Sequence, residues 1–268
     1  MRDEAGSQRI VERMLAVWAL EPAGFLSDFD GTLSPIVPHP DEARPLPIVR
    51  EALEKLVRSL ALVAIVTGRR AEDVARRLSL PGIVVVGNHG AEWFHDGTVR
   101  VDTEAEAWLP SVASAYRTLR ERLPDLRIED KAVTLTVHLR GVTDPSLRTE
   151  AWTVVHRVAA THGLIVRPGR EVLELRPPLA LDKGSAVAAL VRRYALRGVV
   201  FAGDDVTDLD AMRRLGEMRG KEGLQAFLVG VWSDEAPPEL ARTADDLVDG
   251  VETFGRALAA AARRLASS

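Results

Sequence analysis

Residues 24–33 read GFLSDFDGTL, an apolar segment that ends in two aspartates, Asp28 and Asp30. The apolar part predicts a short buried strand, and a carboxylate directly after it lies at the carboxyl edge of a sheet, where open α/β folds bind ligands. Because the aspartates are two residues apart, both can reach one small site. Such a pair suits a nucleophile and an acid acting on a phosphate, with a magnesium ion to balance the charge. A strand followed by an ordinary Asp-Gly turn is the alternative interpretation.

A second polar position follows the continuously apolar segment 60–66, which fits a strand buried on both faces of a parallel sheet. This segment ends at Thr67, ahead of Gly68 and Arg69. A hydroxyl and exposed backbone amides at a strand end can bind a phosphate oxygen. Thr is also a good helix N-cap, and capping alone would explain it.

Two charged groups complete the set of candidate catalytic residues. Lys183 begins a predicted helix, where a cation is mildly unfavourable to the helix dipole but would stabilise the charge of phosphoryl transfer. Asp204, Asp205 and Asp208 follow a further apolar segment. Magnesium prefers oxygen ligands, and three acids on one loop repel each other unless a cation is near. A surface lysine and a charged turn that caps a helix are the alternatives.

The order of apolar segments predicts an α/β fold with a Rossmann-like, doubly wound parallel sheet. Strand and helix signals alternate through the first hundred residues and resume after residue 181. We predict strands at 25–27, 60–66, 83–86, 198–202 and 227–231, and helices at 47–59, 71–79, 182–194 and from 251 onward.

The pattern changes after Glu92, where residues 93–101 indicate a hairpin that turns at Asp96-Gly97. Two helices and four short strands follow; they are predicted at 105–122 and 147–162, and near 127–129, 132–139, 164–167 and 171–175. This mixture predicts an α+β domain at 106–176, inserted into a core formed by 1–105 and 177–268. Arg167 and Arg170 are interpreted as surface residues of the insert.

The hexapeptide at 28–33 resembles the signature of haloacid-dehalogenase-type phosphatases, and the other polar groups follow in the order of that superfamily's remaining motifs. The resemblance implies that Asp28 attacks phosphorus, that Asp30 is the general acid and base, and that the insert is a cap over the substrate. It also implies that Thr67 and Lys183 hold the phosphoryl oxygens. The implied magnesium ligands are Asp28, the backbone carbonyl of Asp30, Asp204, Asp205 and Asp208, and which of the last two touches the metal directly stays open.

Further segments are similar to trehalose-6-phosphate phosphatases over nearly the whole chain: GNHGAE at 87–92, EDK at 129–131, ELRP at 174–177 and GDDVTD at 203–208. The cap positions that grip the sugar hydroxyls in that family match Glu129, Lys131 and Glu174, with His138 and Arg140 as further candidates. The core side of the substrate pocket would be formed by Gly68, Arg69, Asn88, His89 and Glu92. A solvated strand edge would also explain Glu129 and Lys131.

Two positions depart from that family's pattern: Phe29 stands where Tyr is frequent, and Leu209 where Glu is usual. The implied reaction is the magnesium-dependent hydrolysis of trehalose 6-phosphate. A hydroxyl-rich, uncharged disaccharide needs carboxylates and donors for its recognition, which agrees with the cap residues. The rival hypotheses are a related phosphatase for another sugar phosphate, a non-catalytic sugar-phosphate sensor and, third, a mutase.

Composition restricts the partners. The 268 residues are 46% hydrophobic, which argues against disorder, and the net charge of −4 with no basic run gives no indication of nucleic-acid binding. The chain has no cysteine, which excludes disulfides and suits a reducing cytoplasm. The apolar run at 14–20 is too short to span a bilayer and predicts a helix that packs on the core or on another subunit. We expect a cytoplasmic monomer that binds neither nucleic acid nor membrane.

Overall fold

The computed structural model describes residues 2–169 and 171–267, so Arg170 lies outside the described residues, while Arg167 is exposed. The chain forms two compact units. The first unit contains the residues up to Arg100 and those from Leu181, and the second unit is Val101–Ala180. The limits predicted for the insert, 106 and 176, both fall inside the second unit.

The first unit opens with a long helix, α1 (Arg2–Trp18). Its buried side chains Ile10, Val11, Met14 and Trp18 belong to the unit's own apolar core. The leading helix therefore packs on its own core, as one of the two interpretations of this segment predicts. The following elements are β1 (Ala23–Ser27), α2 (Pro47–Ser59), β2 (Leu62–Val66), α3 (Ala71–Leu78), β3 (Val84–Gly87), β4 (Glu92–His95) and β5 (Thr98–Val101).

The second unit is an antiparallel sheet packed on helices, in the strand order β6-β7-β9-β8. Its elements are α4 (Thr103–Glu106), α5 (Leu109–Arg122), β6 (Ile128–Asp130), β7 (Leu135–His138), α6 (Pro145–Thr161), β8 (Ile165–Gly169) and β9 (Val172–Arg176). The helix predicted at 105–122 is divided in two, because Pro110 starts a new helix at its first turn. The strand predicted at 132–139 begins later, because Lys131 N donates to Thr134 O in a turn where Ala132 has a φ of 67°.

The chain then completes the first unit with α7 (Lys183–Arg193), β10 (Gly198–Gly203), α8 (Val206–Lys221), β11 (Gln225–Trp232), α9 (Leu240–Thr243), β12 (Asp246–Asp249) and α10 (Gly250–Leu265). The sequence prediction contained no element for 206–221, 240–243 or 246–249. The last of these is the short sequence Asp-Leu-Val-Asp, whose two acidic ends hide the strand signal.

The sheet of the first unit has the strand order β12-β11-β10-β1-β2-β3-β4-β5, and β12 through β3 pair in parallel. One face is covered by α1, α2, α3 and α10, and the other by α7, α8 and α9. This is the predicted doubly wound α/β fold. The chain runs outward from β1 through β2 to β3 and later returns to place β10 on the other side of β1. The strand order therefore reverses between β1 and β10, which is the point at which such sheets bind ligands.

No helix among the described residues is long and apolar enough to span a bilayer.

Candidate active site

Two aspartates leave the sheet at its switch point. Asp28 follows β1 directly, and its backbone N–H donates to Ala202 O on the adjacent β10 at 2.9 Å. Asp204 follows β10. Because these two parallel strands are neighbours and end at the same edge, the carboxylates that follow them converge. Both are buried, with 5% of Asp28 and 7% of Asp204 exposed.

Lys183 lies between two of the buried carboxylates. Its Nζ is 2.7 Å from Asp28 Oδ1 and donates to Asp208 Oδ1 at 2.8 Å. As predicted, it is the first residue of a helix, which is capped by Asp182. Burial disfavours the charged ammonium, but the charges and hydrogen bonds of the two carboxylates outweigh it and raise the pKa of Lys183. A buried ammonium therefore touches Asp28, the nucleophile that the family resemblance implies.

Asp208 holds the loop that carries the acidic motif. Its Oδ2 accepts hydrogen bonds from the backbone N–H groups of Asp204 and Asp205, each at 3.0 Å, and its Oδ1 accepts from Lys183. Both oxygens of Asp208 are thus already engaged. Asp205, in contrast, is the N-cap residue of α8 and is exposed.

Asp28, Asp204 and Asp208 each offer a carboxylate oxygen, and these oxygens lie within 4.8 Å of one another. Burial, followed by the neighbouring carboxylates, raises the pKa of Asp204 to about 9. Burial likewise raises the pKa of Asp28 to about 7, although Lys183 opposes the shift. Buried carboxylates that repel one another are the donor set that a hard divalent cation prefers. Of the predicted side-chain ligands, the cluster among the described residues contains these three and not Asp205; the fifth predicted ligand, the backbone carbonyl of Asp30, is not a side-chain group and stays a prediction.

Two residues of the 28–33 hexapeptide position Asp204, and sequence reasoning gave them no role. Thr32 Oγ1 donates to Asp204 Oδ1 at 2.9 Å. Gly31 has a φ of +77°, and a β-carbon there would lie 2.1 Å from Asp204 Oδ2. The sequence Asp-Gly-Thr indicates a tight turn followed by a hydroxyl side chain. It does not indicate that the acceptor is Asp204, which is 172 residues from Thr32 in the chain.

The second aspartate of the hexapeptide, Asp30, is bound by Arg69. Arg69 Nε donates to Asp30 Oδ2 at 2.6 Å and Nη2 donates to Oδ1 at 2.8 Å, so the guanidinium occupies both carboxylate oxygens. Its Nη1 reaches Asp73 Oδ2 at 3.3 Å. Burial lowers the pKa of Arg69, but the bonds and charges of the two aspartates exceed this effect and raise it. Phe29, the first departure from the family pattern, is fully buried in the apolar core.

The Thr67 loop is joined to the 88–92 segment by main-chain hydrogen bonds. His89 N donates to Thr67 O at 3.0 Å, and Asn88 N donates to Arg69 O at 2.8 Å. Thr67 is buried, and its Oγ1 accepts from Arg69 N at 3.1 Å, which is the local hydroxyl bond expected of a threonine before a helix. A β-carbon on Gly68 would lie 2.6 Å from His89 Nε2, so a larger residue there would require the imidazole to shift.

Glu92, predicted on the core side of the substrate pocket, is the first residue of β4, and its side chain reaches the start of α3. Its Oε2 accepts from Ala71 N at 3.0 Å, and burial raises its pKa. Leu209, the second departure from the family pattern, is buried in the apolar core on the α7–α9 side. Its change from an acid thus leaves the carboxylate cluster intact.

The second unit has a polar sheet face that contains three of its predicted site residues. Register places Glu129 opposite Thr136, and Thr136 opposite Glu174, so these three side chains form one row across β6, β7 and β9. Lys131 lies just past the end of β6, and its ammonium reaches Glu174 on this face. On the opposite face, Ile128, Leu135, Val137, Leu173 and Leu175 belong to the apolar core that includes residues of α5 and α6.

Each glutamate of this row has basic partners. Glu129 Oε2 lies 2.9 Å from His138 Nε2, and that bond lowers the pKa of Glu129 in spite of its partial burial. Glu174 Oε1 accepts from Lys131 Nζ at 3.5 Å, and its Oε2 accepts from Arg176 Nε at 2.6 Å. His138 was a further candidate, whereas Arg176 was missed, although its i,i+2 spacing from Glu174 on a strand was a usable signal.

Arg140, also predicted to bind substrate, is exposed in the turn that follows β7, beyond the paired residues of that strand. Thr134 is a second residue that sequence reasoning missed. It is buried on the polar face, and its Oγ1 donates to Glu174 Oε1 at 3.4 Å.

Comparison with known proteins relates the chain to one group of phosphatases. The model of the trehalose-phosphatase family matches residues 26–234. The trehalose-phosphate phosphatase of Mycobacterium leprae is 39% identical over 206 aligned positions, covering 72% of this chain and 47% of the relative. That of Mycobacterium marinum is 33% identical over 279 aligned positions, covering 95% of this chain and 71% of the relative. The chain thus spans about half the length of the first relative and 71% of the second.

The fold has solved counterparts as well. A crystal structure of a trehalose-6-phosphate phosphatase related protein superposes with a TM-score of 0.73 at 25% identity, and it covers 90% of this chain and 97% of that one. The agreement extends over both units.

Proposed function

Because the chain belongs to the trehalose-phosphatase family, we propose that it is a magnesium-dependent phosphatase that hydrolyses trehalose 6-phosphate to trehalose and phosphate. The observation that carries the proposal is the buried group of three carboxylates with one ammonium at the switch point of the sheet. Phosphoryl transfer requires a nucleophile, a cation site and positive charge near the phosphoryl group. Asp28 can supply the first, the three carboxylates together the second and Lys183 the third.

In the proposed first step, an oxygen of Asp28 attacks phosphorus and the bond from phosphorus to the sugar oxygen breaks, so that an aspartyl-phosphate forms. Lys183 and Thr67 hold the phosphoryl oxygens, and the contact of Lys183 with Asp28 Oδ1 supports this role. Asp30 gives a proton to the leaving sugar oxygen. In the second step Asp30 takes a proton from water, the water oxygen bonds to phosphorus, and the bond to Asp28 breaks to release phosphate.

Arg69 competes for Asp30 in this cycle. Its guanidinium donates to both carboxylate oxygens and so engages lone pairs for which the sugar oxygen and water compete. We propose that the substrate phosphate attracts Arg69 from Asp30, and that Asp73 remains its anchor.

Asp28 and Asp204 would hold a magnesium ion directly, together with the backbone carbonyl of Asp30. A bound cation would supply positive charge beside the nucleophile and the phosphoryl oxygens. Asp208 acts through its bonds to Lys183 and to the 204–205 backbone, since both of its oxygens are engaged there.

For sugar recognition we propose the polar face of the second unit, where Glu129, Lys131 and Glu174 would bind the hydroxyls. Carboxylates accept and the ammonium donates, so the set can bind both the hydrogen and the oxygen of a hydroxyl group. In the first unit, Asn88 and His89 are proposed to contribute to the substrate pocket through the loop that is bonded to Thr67 and Arg69.

The test is phosphate release from trehalose 6-phosphate, glucose 6-phosphate and sucrose 6-phosphate, each with magnesium and with EDTA. We expect metal-dependent release from trehalose 6-phosphate in clear preference to the other two esters. Preference for another ester would keep the chemistry and overturn the substrate assignment. Binding of trehalose 6-phosphate without any release would support the sensor hypothesis instead.

A further inference from the structure

One buried hydroxyl on the polar face of the second unit is left without a hydrogen bond. Thr136 on β7 is only 4% exposed, and no group among the described residues lies within hydrogen-bonding reach of its Oγ1. It stands in the middle of the row, between Glu129 on β6 and Glu174 on β9. A buried hydroxyl that has lost its bonds to water costs free energy, and most such groups in folded proteins have a partner.

Packing does not explain why this position carries a hydroxyl. Valine has nearly the shape of threonine, is equally suited to a strand, and would leave no polar atom unsatisfied. The neighbours Leu135 and Val137 point to the opposite face and belong to the apolar core of the unit. Thr134, on the same face as Thr136, does have an acceptor in Glu174. The unpaired group is therefore confined to the centre of the row.

We propose that the hydroxyl of Thr136 binds a hydroxyl group of the sugar and is a specificity-determining residue; this inference rests on the proposed function. Glutamates only accept hydrogen bonds, whereas threonine both donates and accepts. Neighbouring strands lie about 4.7–4.9 Å apart, so the row presents an acceptor, a donor that also accepts, and a second acceptor at strand spacing. A ligand with several hydroxyls uses all three, and an ester without hydroxyls uses none.

The experiment compares Thr136→Val, which removes the hydroxyl and keeps the shape, with Thr136→Ser, which keeps the hydroxyl. kcat/KM is measured for trehalose 6-phosphate and for p-nitrophenyl phosphate, an aryl ester without sugar hydroxyls. We expect Thr136→Val to lower the value for trehalose 6-phosphate about five- to tenfold, the effect of one neutral hydrogen bond, and to leave the aryl ester unchanged. Thr136→Ser should stay close to the wild type on both substrates.

Thermal unfolding separates this role from a structural one, because removing an unsatisfied hydroxyl should leave the Tm of Thr136→Val equal or higher. If the valine variant does not fold, the ratio of Thr136→Ser to Thr136→Ala tests the same hydroxyl. An unchanged kcat/KM for trehalose 6-phosphate, or an equal loss on both esters, would overturn the inference and leave the proposed function standing. Wild-type protein that turns over the aryl ester but not trehalose 6-phosphate would overturn both.

Discussion

The two polar surfaces of this molecule hold their carboxylates in opposite electrostatic settings. In the first unit, Asp28, Asp204 and Asp208 lie together, and burial raises the pKa of the first two. In the second unit, a side-chain hydrogen bond lowers the pKa of Glu129, and Glu174 contacts two cationic side chains. The first surface is unbalanced, because three carboxyl groups share one ammonium, and the second is balanced, because each glutamate contacts basic side chains.

This difference indicates what each surface can bind. Unbalanced carboxylates oppose folding unless a cation joins them, so the first surface is suited to a metal ion and to charged phosphoryl groups. Balanced pairs cost little to keep and present both donors and acceptors, so the second surface is suited to neutral hydroxyls. Changes that alter charge should therefore act strongly on the first surface, and changes in hydrogen-bonding pattern should act selectively on the second.

The largest effect is expected from Asp28→Asn, which keeps the shape of the side chain and removes the nucleophile. kcat for phosphate release from trehalose 6-phosphate with magnesium should fall on the order of 10³-fold or more. Asp96→Asn is the control: this aspartate is exposed in a hairpin turn with a φ of 47°, a conformation that asparagine tolerates. Turnover by Asp28→Asn within about tenfold of the wild type would exclude a nucleophilic role for Asp28.

The next effect, on stability, is expected from Lys183→Met. This change leaves Asp28 and Asp208 buried without their cation, since Lys183 itself is only 2% exposed. The free energy of unfolding should fall by about 3–5 kcal/mol, measured by urea denaturation in EDTA. Adding Asp208→Asn removes one of the two carboxylates that Lys183→Met leaves without a cation. The double variant should therefore lose less stability than the sum of the losses of the two single variants. Wild-type stability of Lys183→Met would show that the ion pairs contribute nothing.

The sequence predicted this first surface well, because its geometry follows from topology. Asp28 and Asp204 lie close together because neighbouring parallel strands end at the same edge of the sheet. The apolar segments before them predict where these strands end. The different roles of Asp205 and Asp208 within the acidic motif were not predictable. Asp208 points inward and Asp205 outward because α8 begins at Val206, and the sequence indicated a helix there only in the alternative interpretation of the motif as a capping turn.

The second surface was less predictable, because pairing register and partner choice depend on contacts distant in the chain. The turn at Lys131–Thr134 shortens β7 and thereby determines which residues face Glu129. Sequence reasoning named the glutamates from a family resemblance, but the row containing Thr136 follows only from the strand order β6-β7-β9.

A selective effect is expected from Glu174→Gln in the second unit. The amide keeps the size but turns one acceptor into a donor, and it removes the charge that Lys131 and Arg176 contact. kcat/KM for trehalose 6-phosphate should fall roughly 10- to 100-fold, as expected when one partner of a charged hydrogen bond is lost. The value for p-nitrophenyl phosphate should remain unchanged. Equal losses on the two esters would mean that the second surface does not discriminate the sugar.

The smallest effect concerns metal and pH. The pKa of Asp28 rises to about 7 and that of Asp204 to about 9, from an ordinary 3.8. Between pH 4 and these values the folded, metal-free protein holds more protons than the unfolded chain, so this contribution to stability decreases as pH rises. Magnesium replaces the protons and should therefore raise the Tm more at pH 8 than at pH 5.5. Each 1 kcal/mol of metal stabilisation corresponds to roughly 2–4 °C in a chain of this size.

Thermal unfolding in EDTA and in magnesium at both pH values measures this difference, and Asp204→Asn provides the matched variant. The amide removes one of the two titrating carboxyls and a metal ligand, so the magnesium-dependent rise in Tm should shrink, most of all at pH 8. A rise of the same size at pH 5.5 and pH 8 in the wild type would show that the buried carboxylates are not the groups that exchange protons for the metal. The contrast between an unbalanced and a balanced surface would then have to be abandoned for the first unit.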